Sequence, residues 1–361
     1  MKRLRGLIAR ADGSVRPGSV EFAECIESVA EGGAYRSSDY ILPGLIDLQV
    51  NGVREIDVMG AAPEALLKLS GSLAREGTTS WLPTALTAPL ETIEGVATNV
   101  AQAMSSSAQA GISMLGLHLE GPFISARRLG AHPQYNLEPQ GAALERVCAL
   151  PALRMVTLAP ELEGALEAIP ALVRRGVTVS IGHTEATFEQ ARAAVDAGAR
   201  MFTHIYNAMA PLHHRRPGVA AAAMMPSPAA TAVIADGVHV HPAMLRLLFM
   251  TRGARGICLT TDRVAAGASA HPVAGTSGAA VRMPDGRLAG SVISMLEGMR
   301  MMVQHAGATV GDAALMAATN PARVLGLARR GTIETAAVAD MLVLGPELDL
   351  KAVFLGGREL S

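Results

Sequence analysis

The chain has 361 residues, half of them apolar and 17% charged, which supplies a large core and excludes a disordered chain. Thirty-one Lys and Arg against 32 Asp and Glu leave a net charge of −1, without the basic excess of a nucleic-acid binder. Aromatic residues make up only 3%, which favours a dense α/β body over a purely β one. Cys25, Cys148 and Cys258 are odd in number and far apart, so neither a disulfide framework nor a CxxC metal site is expected. A reduced, cytoplasmic setting follows as the expectation. Met1–Arg10 begins with basic residues but leads into no apolar signal region. The Ala-rich stretch Gly218–Ala235 is broken by Pro226, Ser227 and Pro228 into pieces too short for a bilayer, so no membrane association is expected.

In chain order, residues 1–42 place turn signals at Asp12-Gly13, Pro17-Gly18 and Gly32-Gly33 between short β-type runs. The pattern then changes. Leu45–Asn51, Thr78–Thr84, Ile112–Leu119, Arg154–Pro160, Val177–His183, Arg200–Ile205, Thr231–Asp236 and Gly256–Asp262 read as strands. Stretches with helical spacing, such as Pro63–Glu76 and Glu185–Gly198, lie between them. Strand–helix alternation predicts parallel pairing, and eight such units predict a (β/α)8 TIM-type barrel over residues 43–330. Residues 331–361 return to the first pattern, with Met341–Leu344 as a strand and Gly345-Pro346 as a turn. The two ends, 1–42 and 331–361, are expected to form one small β-sandwich domain.

Gln49, Asn51, Glu120, His183, His204, Asp236 and Asp262 end the predicted strands, and those ends converge on the face where such barrels keep their active sites. One carboxylate and two imidazoles, Glu120, His183 and His204, suit a catalytic zinc-type centre with a position open for water. A lone histidine is more often a hydrogen-bonded core residue. Three ligands together, in Gly-Leu-His-Leu-Glu-Gly-Pro, Ile-Gly-His-Thr and Thr-His-Ile-Tyr-Asn-Ala-Met, reverse that preference.

Ile41–Gly52, Gly116–Phe123, Gly130–His132, Ser180–Thr184, Thr203–Met209, Ala235–His239, Leu259–Asp262, Leu288–Met295 and Ala318–Ala322 follow a familiar order and spacing. As a set covering nearly the whole chain, they resemble the N-acetylglucosamine-6-phosphate deacetylases of the amidohydrolase superfamily. The resemblance implies a metal-bearing barrel with a small β-domain, acting on a phosphorylated N-acetyl amino sugar. It implies Asp262 as general acid/base and His132 as the group that polarises the acetyl carbonyl. Arg215, His239 and the backbone of Asn207 and Ala208 would hold the phosphate, and Ala131, Leu288, Ala289 and Gly290 would touch the sugar. Many amidohydrolases carry His-x-His on the first strand for a second metal, where this chain has Gln49-Val50-Asn51. One divalent ion per chain is therefore expected, zinc first, with Fe²⁺, Co²⁺ or Mn²⁺ accepted by the same ligands. A homodimer is also implied.

An amide is a poor electrophile with a poor leaving group, so water must be activated and the departing nitrogen protonated. A metal and a nearby carboxylate supply those two needs. Rival readings are deacetylation of the C4 epimer, N-acetylgalactosamine-6-phosphate, and a sugar-phosphate binding protein without catalysis. Cyclic-amide hydrolysis through a bridging lysine is disfavoured, since no Lys ends a predicted strand. One residue departs from the family: Arg263 stands where a small residue usually follows the catalytic aspartate. It is expected to lower the Asp262 pKa, to point into solvent, or to contact substrate.

Overall fold

The computed structural model describes residues 1–32, 37–107, 113–266, 271–272 and 279–360. Four strands open the chain: β1 (Lys2–Ala9), β2 (Val15–Phe22), β3 (Ile26–Glu31) and β4 (Tyr40–Pro43). Eight more follow in the body: β5 (Leu45–Val50), β6 (Thr78–Ala85), β7 (Leu117–Glu120), β8 (Leu153–Leu158), β9 (Thr178–Ile181), β10 (Met201–Phe202), β11 (Ala230–Ile234) and β12 (Ile257–Thr260). Near the other end come β13 (Met341–Leu344), β14 (Leu350–Leu355) and β15 (Arg358–Glu359).

The strands from the two chain ends form one sheet, in the order β15-β14-β13-β4-β1-β2-β3. Phe22 on β2 and Phe354 on β14 are separated by three strands, yet their rings meet edge-on at 5.3 Å. The sheet therefore folds over itself into a sandwich, closing on Ile8, Val20, Phe22, Ile41, Met341 and Phe354. Side chains of the opposite parity, such as Leu42, Leu342 and Leu355, join the core of the barrel instead. The expected turn at Pro17-Gly18 is not one. Both residues lie within β2, where Gly18 lets the Ala30 carbonyl come within 2.4 Å of the position a Cβ would take. Gly33 of the other expected turn lies outside the described residues.

The body is the expected barrel. β5 to β12 pair in parallel in the order β12-β11-β10-β9-β8-β7-β6-β5. The intervening helices bury one stripe each. In Pro63–Arg75 that stripe is Leu66, Leu69 and Leu73, with proline at the first turn, where its missing N–H costs nothing. The helix expected over Glu185–Gly198 begins only at Phe188, because Thr187 and Gln190 form a reciprocal capping box there. The strand expected over Ile112–Leu119 is interrupted: Ser113–Met114 and β7 are separate, and Ile112 lies outside the described residues. Gly116 between them has φ +131° and lies against Arg154, where a side chain would not fit.

Strand pairing leaves a seam between β5 and β12. It is closed by one parallel bridge, Val50 with Arg263, and by the Asn51 and Gly52 N–H groups donating to the Arg263 carbonyl at 2.7 and 3.0 Å. Below this bridge the fully buried Asp47 carboxylate fastens the same seam. It accepts from the Thr260 hydroxyl (3.0 Å), the Thr261 N–H (3.2 Å), the Thr261 hydroxyl (2.5 Å) and the Gln49 N–H (3.2 Å). Burial pushes this carboxyl above its ordinary range while the four donors pull it back. No helix among the described residues is long and apolar enough to cross a membrane.

Asp47→Ala strands those donors in the core. Leaving a buried donor unsatisfied costs about 1–3 kcal/mol. Asp47→Ala is therefore expected to lose roughly 3 kcal/mol or more of unfolding free energy in a urea titration. A loss below about 0.5 kcal/mol, the usual range of an inert surface substitution, would show that the seam does not depend on Asp47.

Candidate active site

The functional side chains occupy a repeated position. Glu120 ends β7, and His183, His204, Asp236 and Asp262 each lie two residues beyond the ends of β9, β10, β11 and β12. At three of these the ladder stops and the backbone turns left-handed, with φ +50° at His183, +24° at His204 and +48° at Asp262. Such conformations cost of order 1–3 kcal/mol each for a residue with a side chain, and they concentrate at functional sites. Glu120, His183, His204 and Asp262 all line one cavity of about 260 Å³ at this end of the barrel.

Three atoms in it face one another. The Nε2 atoms of His183 and His204 lie 3.1 and 3.0 Å from Glu120 Oε1, and 3.2 Å apart. A tetrahedron of zinc bonds about 2.0–2.2 Å long has edges of similar length. Metal-free, these nitrogens would have to share protons across a tight triangle; around a divalent ion, all three atoms offer lone pairs. The donor set therefore fits such an ion. His132 is also close, and Glu120, His132 and His183 present ligand atoms within 4.8 Å of one another. Hydrogen bonding separates the two possible sets. His183 Nδ1 lies 2.8 Å from the Arg128 carbonyl, which can only accept, so Nδ1 carries the proton and Nε2 is a free lone pair. His132 is the reverse. Its Nδ1 accepts the Thr87 N–H at 3.2 Å, with the Thr87 hydroxyl at 2.9 Å, so the proton sits on Nε2, 3.3 Å from Glu120 Oε2. In that tautomer His132 is a donor and not a ligand. Burial and the neighbouring His183 hold its pKa down, which keeps it neutral.

Glu120 itself is buried, which opposes ionisation. Without a metal, a second proton held by His183 on the Glu120 side, with the N–H groups of His132 and His204, outweighs this and holds its carboxyl well below the usual range. Burial and the negative charge of Glu120 push Asp262 up to about 6. A cation between them acts in the opposite sense. His118 shares the Gly-Leu-His-Leu-Glu-Gly-Pro run but takes no part in the trio. Both its nitrogens are engaged beneath the site, by the Leu48 carbonyl and the Thr157 hydroxyl, and burial lowers its pKa to about 4.

The remaining expected residues divide. Ala131, His132, Asn207, Ala208, His239, Leu288, Ala289 and Gly290 all line the cavity. His239 donates its Nδ1–H to Asp236 Oδ2 at 2.6 Å, which leaves Nε2 for a ligand. Arg215 lies in an adjoining cleft of about 450 Å³ with Arg128, Glu185 and His213. Arg263 neither contacts the cavity nor points to solvent: its guanidinium pairs with Glu76 at the end of the first helix, and its backbone closes the barrel seam. Two features of the site went unread in the sequence. Arg287 lines the wall and donates to the Gly130 carbonyl, and its place beside the matched Leu288–Met295 segment was the available signal. Thr87, which sets the His132 tautomer, lies three residues past Thr84 in no motif, so nothing marked it.

The tautomers generate a test. His183→Ala and His204→Ala are expected to lose bound metal and turnover together. His132→Ala is expected to keep its metal while kcat falls about 10²–10³-fold, the usual effect of removing an oxyanion donor. Metal content and acetate release on the same preparations decide it, and a His132→Ala protein that loses its metal would put His132 among the ligands.

Comparison with known proteins assigns the family. The amidohydrolase family model matches residues 40–360. The N-acetylgalactosamine-6-phosphate deacetylase of Escherichia coli O157:H7 is 38% identical over 346 residues, covering 93% of this chain and 92% of that protein. The N-acetylglucosamine-6-phosphate deacetylase of Bacillus subtilis (strain 168) is 35% identical over 323 residues, covering 86% and 82%. A mutant of the Mycobacterium smegmatis N-acetyl-D-glucosamine-6-phosphate deacetylase, solved in complex with N-acetyl-D-glucosamine-6-phosphate, superposes with a TM-score of 0.90. It is 32% identical and covers 99% of this chain and 98% of its own. The chain is a metal-dependent amide hydrolase: it belongs to the amidohydrolase family and, within it, to the N-acetylglucosamine-6-phosphate deacetylases.

Proposed function

We propose that the protein hydrolyses the acetamide of N-acetylglucosamine-6-phosphate, giving glucosamine-6-phosphate and acetate. The observation that carries this reading is the sorting of proton positions in one cavity. Glu120 Oε1 and the lone pair on His183 Nε2, with His204 Nε2 converging on both, stand beside a histidine whose Nε2 can only donate, His132, and a carboxylate that can accept, Asp262. Glu120, His183 and His204 would hold one divalent ion per chain, zinc first, with Fe²⁺, Co²⁺ or Mn²⁺ as substitutes. When bound, the ion supplies Lewis acidity that activates water and polarises the acetyl carbonyl. His132 Nε2–H donates to the carbonyl oxygen as negative charge grows there. Asp262 takes a proton from the attacking water and returns it to the leaving nitrogen.

The phosphate is assigned to His239 Nε2 and the backbone at Asn207 and Ala208, with Arg215 contributing from the His213–Arg216 loop next to the cavity. Leu288, Ala289 and Gly290 form the wall for the sugar ring, together with Ala131. The exposed apolar side chains Tyr135, Leu137 and Leu212 flank the loops that border the site, which supports a homodimer. The three free cysteines support a cytoplasmic enzyme. The galacto epimer stands as a second reading on the strength of the Escherichia coli relative.

Acetate release from gluco and galacto N-acetyl hexosamines, with and without 6-phosphate, tests the substrate. The gluco 6-phosphate is expected to have the highest kcat/KM, and a galacto preference would hand the assignment to the second reading. Asp262→Asn is expected to bind metal normally but to lose about 10²–10⁴-fold in kcat; activity within a few-fold of wild type would place the proton carrier elsewhere. Hydrogen bonds to an ion contribute about 1.5–3 kcal/mol, so Arg215→Ala should lower kcat/KM roughly 10- to 150-fold on the phosphorylated sugar alone. An equal loss on the unphosphorylated sugar would make Arg215 part of the architecture of its own cleft.

A further inference from the structure

Gln49 and Asn51 stand where the resemblance puts the superfamily's second metal ligands, and nothing so far gives their side chains work. Both are buried. Their amide nitrogens converge on a single oxygen: Asn51 Nδ2 donates to Asp262 Oδ1 at 2.7 Å and Gln49 Nε2 donates to the same atom at 3.0 Å. Gln49 Nε2 also reaches Glu120 Oε1 at 2.8 Å, so one amide group ties the proton carrier to the carboxylate of the metal-ready trio. The opposite ends of both amides are left without partners. Gln49 Oε1 and Asn51 Oδ1 are buried, and neither has a hydrogen bond.

Buried orphan acceptors are rare and destabilising, and each one in a native site calls for an explanation. Rotating either amide by half a turn would not relieve the site, because it would set a carbonyl oxygen against a carboxylate. The N–H directions are thus held by Asp262 and Glu120, and the orphan oxygens are the consequence. Asp262 Oδ2, by contrast, engages no hydrogen bond among the described residues, on a residue that lines the cavity.

We propose that Gln49 and Asn51 are positioning residues for Asp262. Their N–H groups occupy Oδ1 and fix the carboxylate plane, so that Oδ2 alone exchanges the proton. The inference rests on the reading of Asp262 as proton carrier. In the step concerned, the water oxygen forms a bond to the acetyl carbon and its proton passes to Oδ2. The C–N bond then breaks, and that proton passes from Oδ2 to the nitrogen, which leaves as the amine.

The test compares Asn51→Ala, Asp262→Asn and the double variant in zinc-loaded full-length enzyme, with N-acetylglucosamine-6-phosphate as substrate. Metal content per chain and the thermal unfolding midpoint are read alongside kcat and KM. Asn51→Ala is expected to lose about 10- to 150-fold in kcat, the effect of one hydrogen bond to an ion, with KM within threefold and zinc content unchanged. In the Asp262→Asn background the same change is expected to cost nothing further in kcat, since a residue acting through Asp262 has nothing left to position. Gln49→Ala is expected to repeat this pattern. The inference is overturned by an unchanged kcat in Asn51→Ala, by a full additional loss in the double variant, or by zinc leaving with the activity. An active Asp262→Asn enzyme would instead overturn the underlying reading of Asp262, which keeps the two failures distinct.

Discussion

The site depends on one buried carboxylate. Taking an ionised Glu120 out of water costs several kcal/mol unless its oxygens are paired, and the arrangement around it divides the two oxygens between different tasks. Oε1 faces the Nε2 atoms of His183 and His204 and the Gln49 amide, whereas Oε2 faces the His132 N–H. A cation belongs on the first side, and a hydrogen-bond donor already stands on the second. The proposed distinction between ligand and oxyanion donor thus rests on what each histidine's other nitrogen meets. For His183 that is a carbonyl; for His132 it is a backbone N–H and a hydroxyl.

Bringing these groups together requires strand ends from around the barrel to meet, and the barrel is weakest where its first and last strands close. That seam carries much of the chemistry. Gln49 and Asn51 lie on one side of it and Asp262 on the other, with Asp47 and the Arg263 backbone fastening it from below and beside. The left-handed backbone at His183, His204 and Asp262 adds local strain, which the surrounding core offsets. Arg263 fits this picture: its side chain reaches away to Glu76, so a large cation next to Asp262 in sequence is absent from the cavity.

Much of this was legible in the residues. The β/α alternation revealed the barrel, and the polar strand ends revealed Glu120, His183, His204 and Asp262, because both patterns arise from local periodicity. What escaped depended on contacts between distant segments. Thr87 orients His132 from 45 positions away, and Arg287 reaches Gly130 across 157. Neither pairing leaves a periodic trace. Gln49 and Asn51 were read as amides in place of a His-x-His pair, and only their geometry shows that they spend their N–H groups on Asp262. Pro17-Gly18 looked like a turn because the same residues that bend a chain also permit close strand approach. The resemblance and its loop position put Arg215 at the phosphate, and in the fold it lines a second cleft with Arg128, Glu185 and His213.

The central claim is that Glu120, His183 and His204 hold a single divalent ion while His132 stays a proton donor. The most direct measurement is anomalous diffraction at the zinc edge from crystals of the zinc-loaded enzyme. The account predicts one strong peak per chain, bonded to Glu120 and to Nε2 of His183 and His204, with His132 Nε2 outside bonding distance. A peak bonded to His132 in place of His204, or a second full peak beside Gln49 and Asn51, would contradict it.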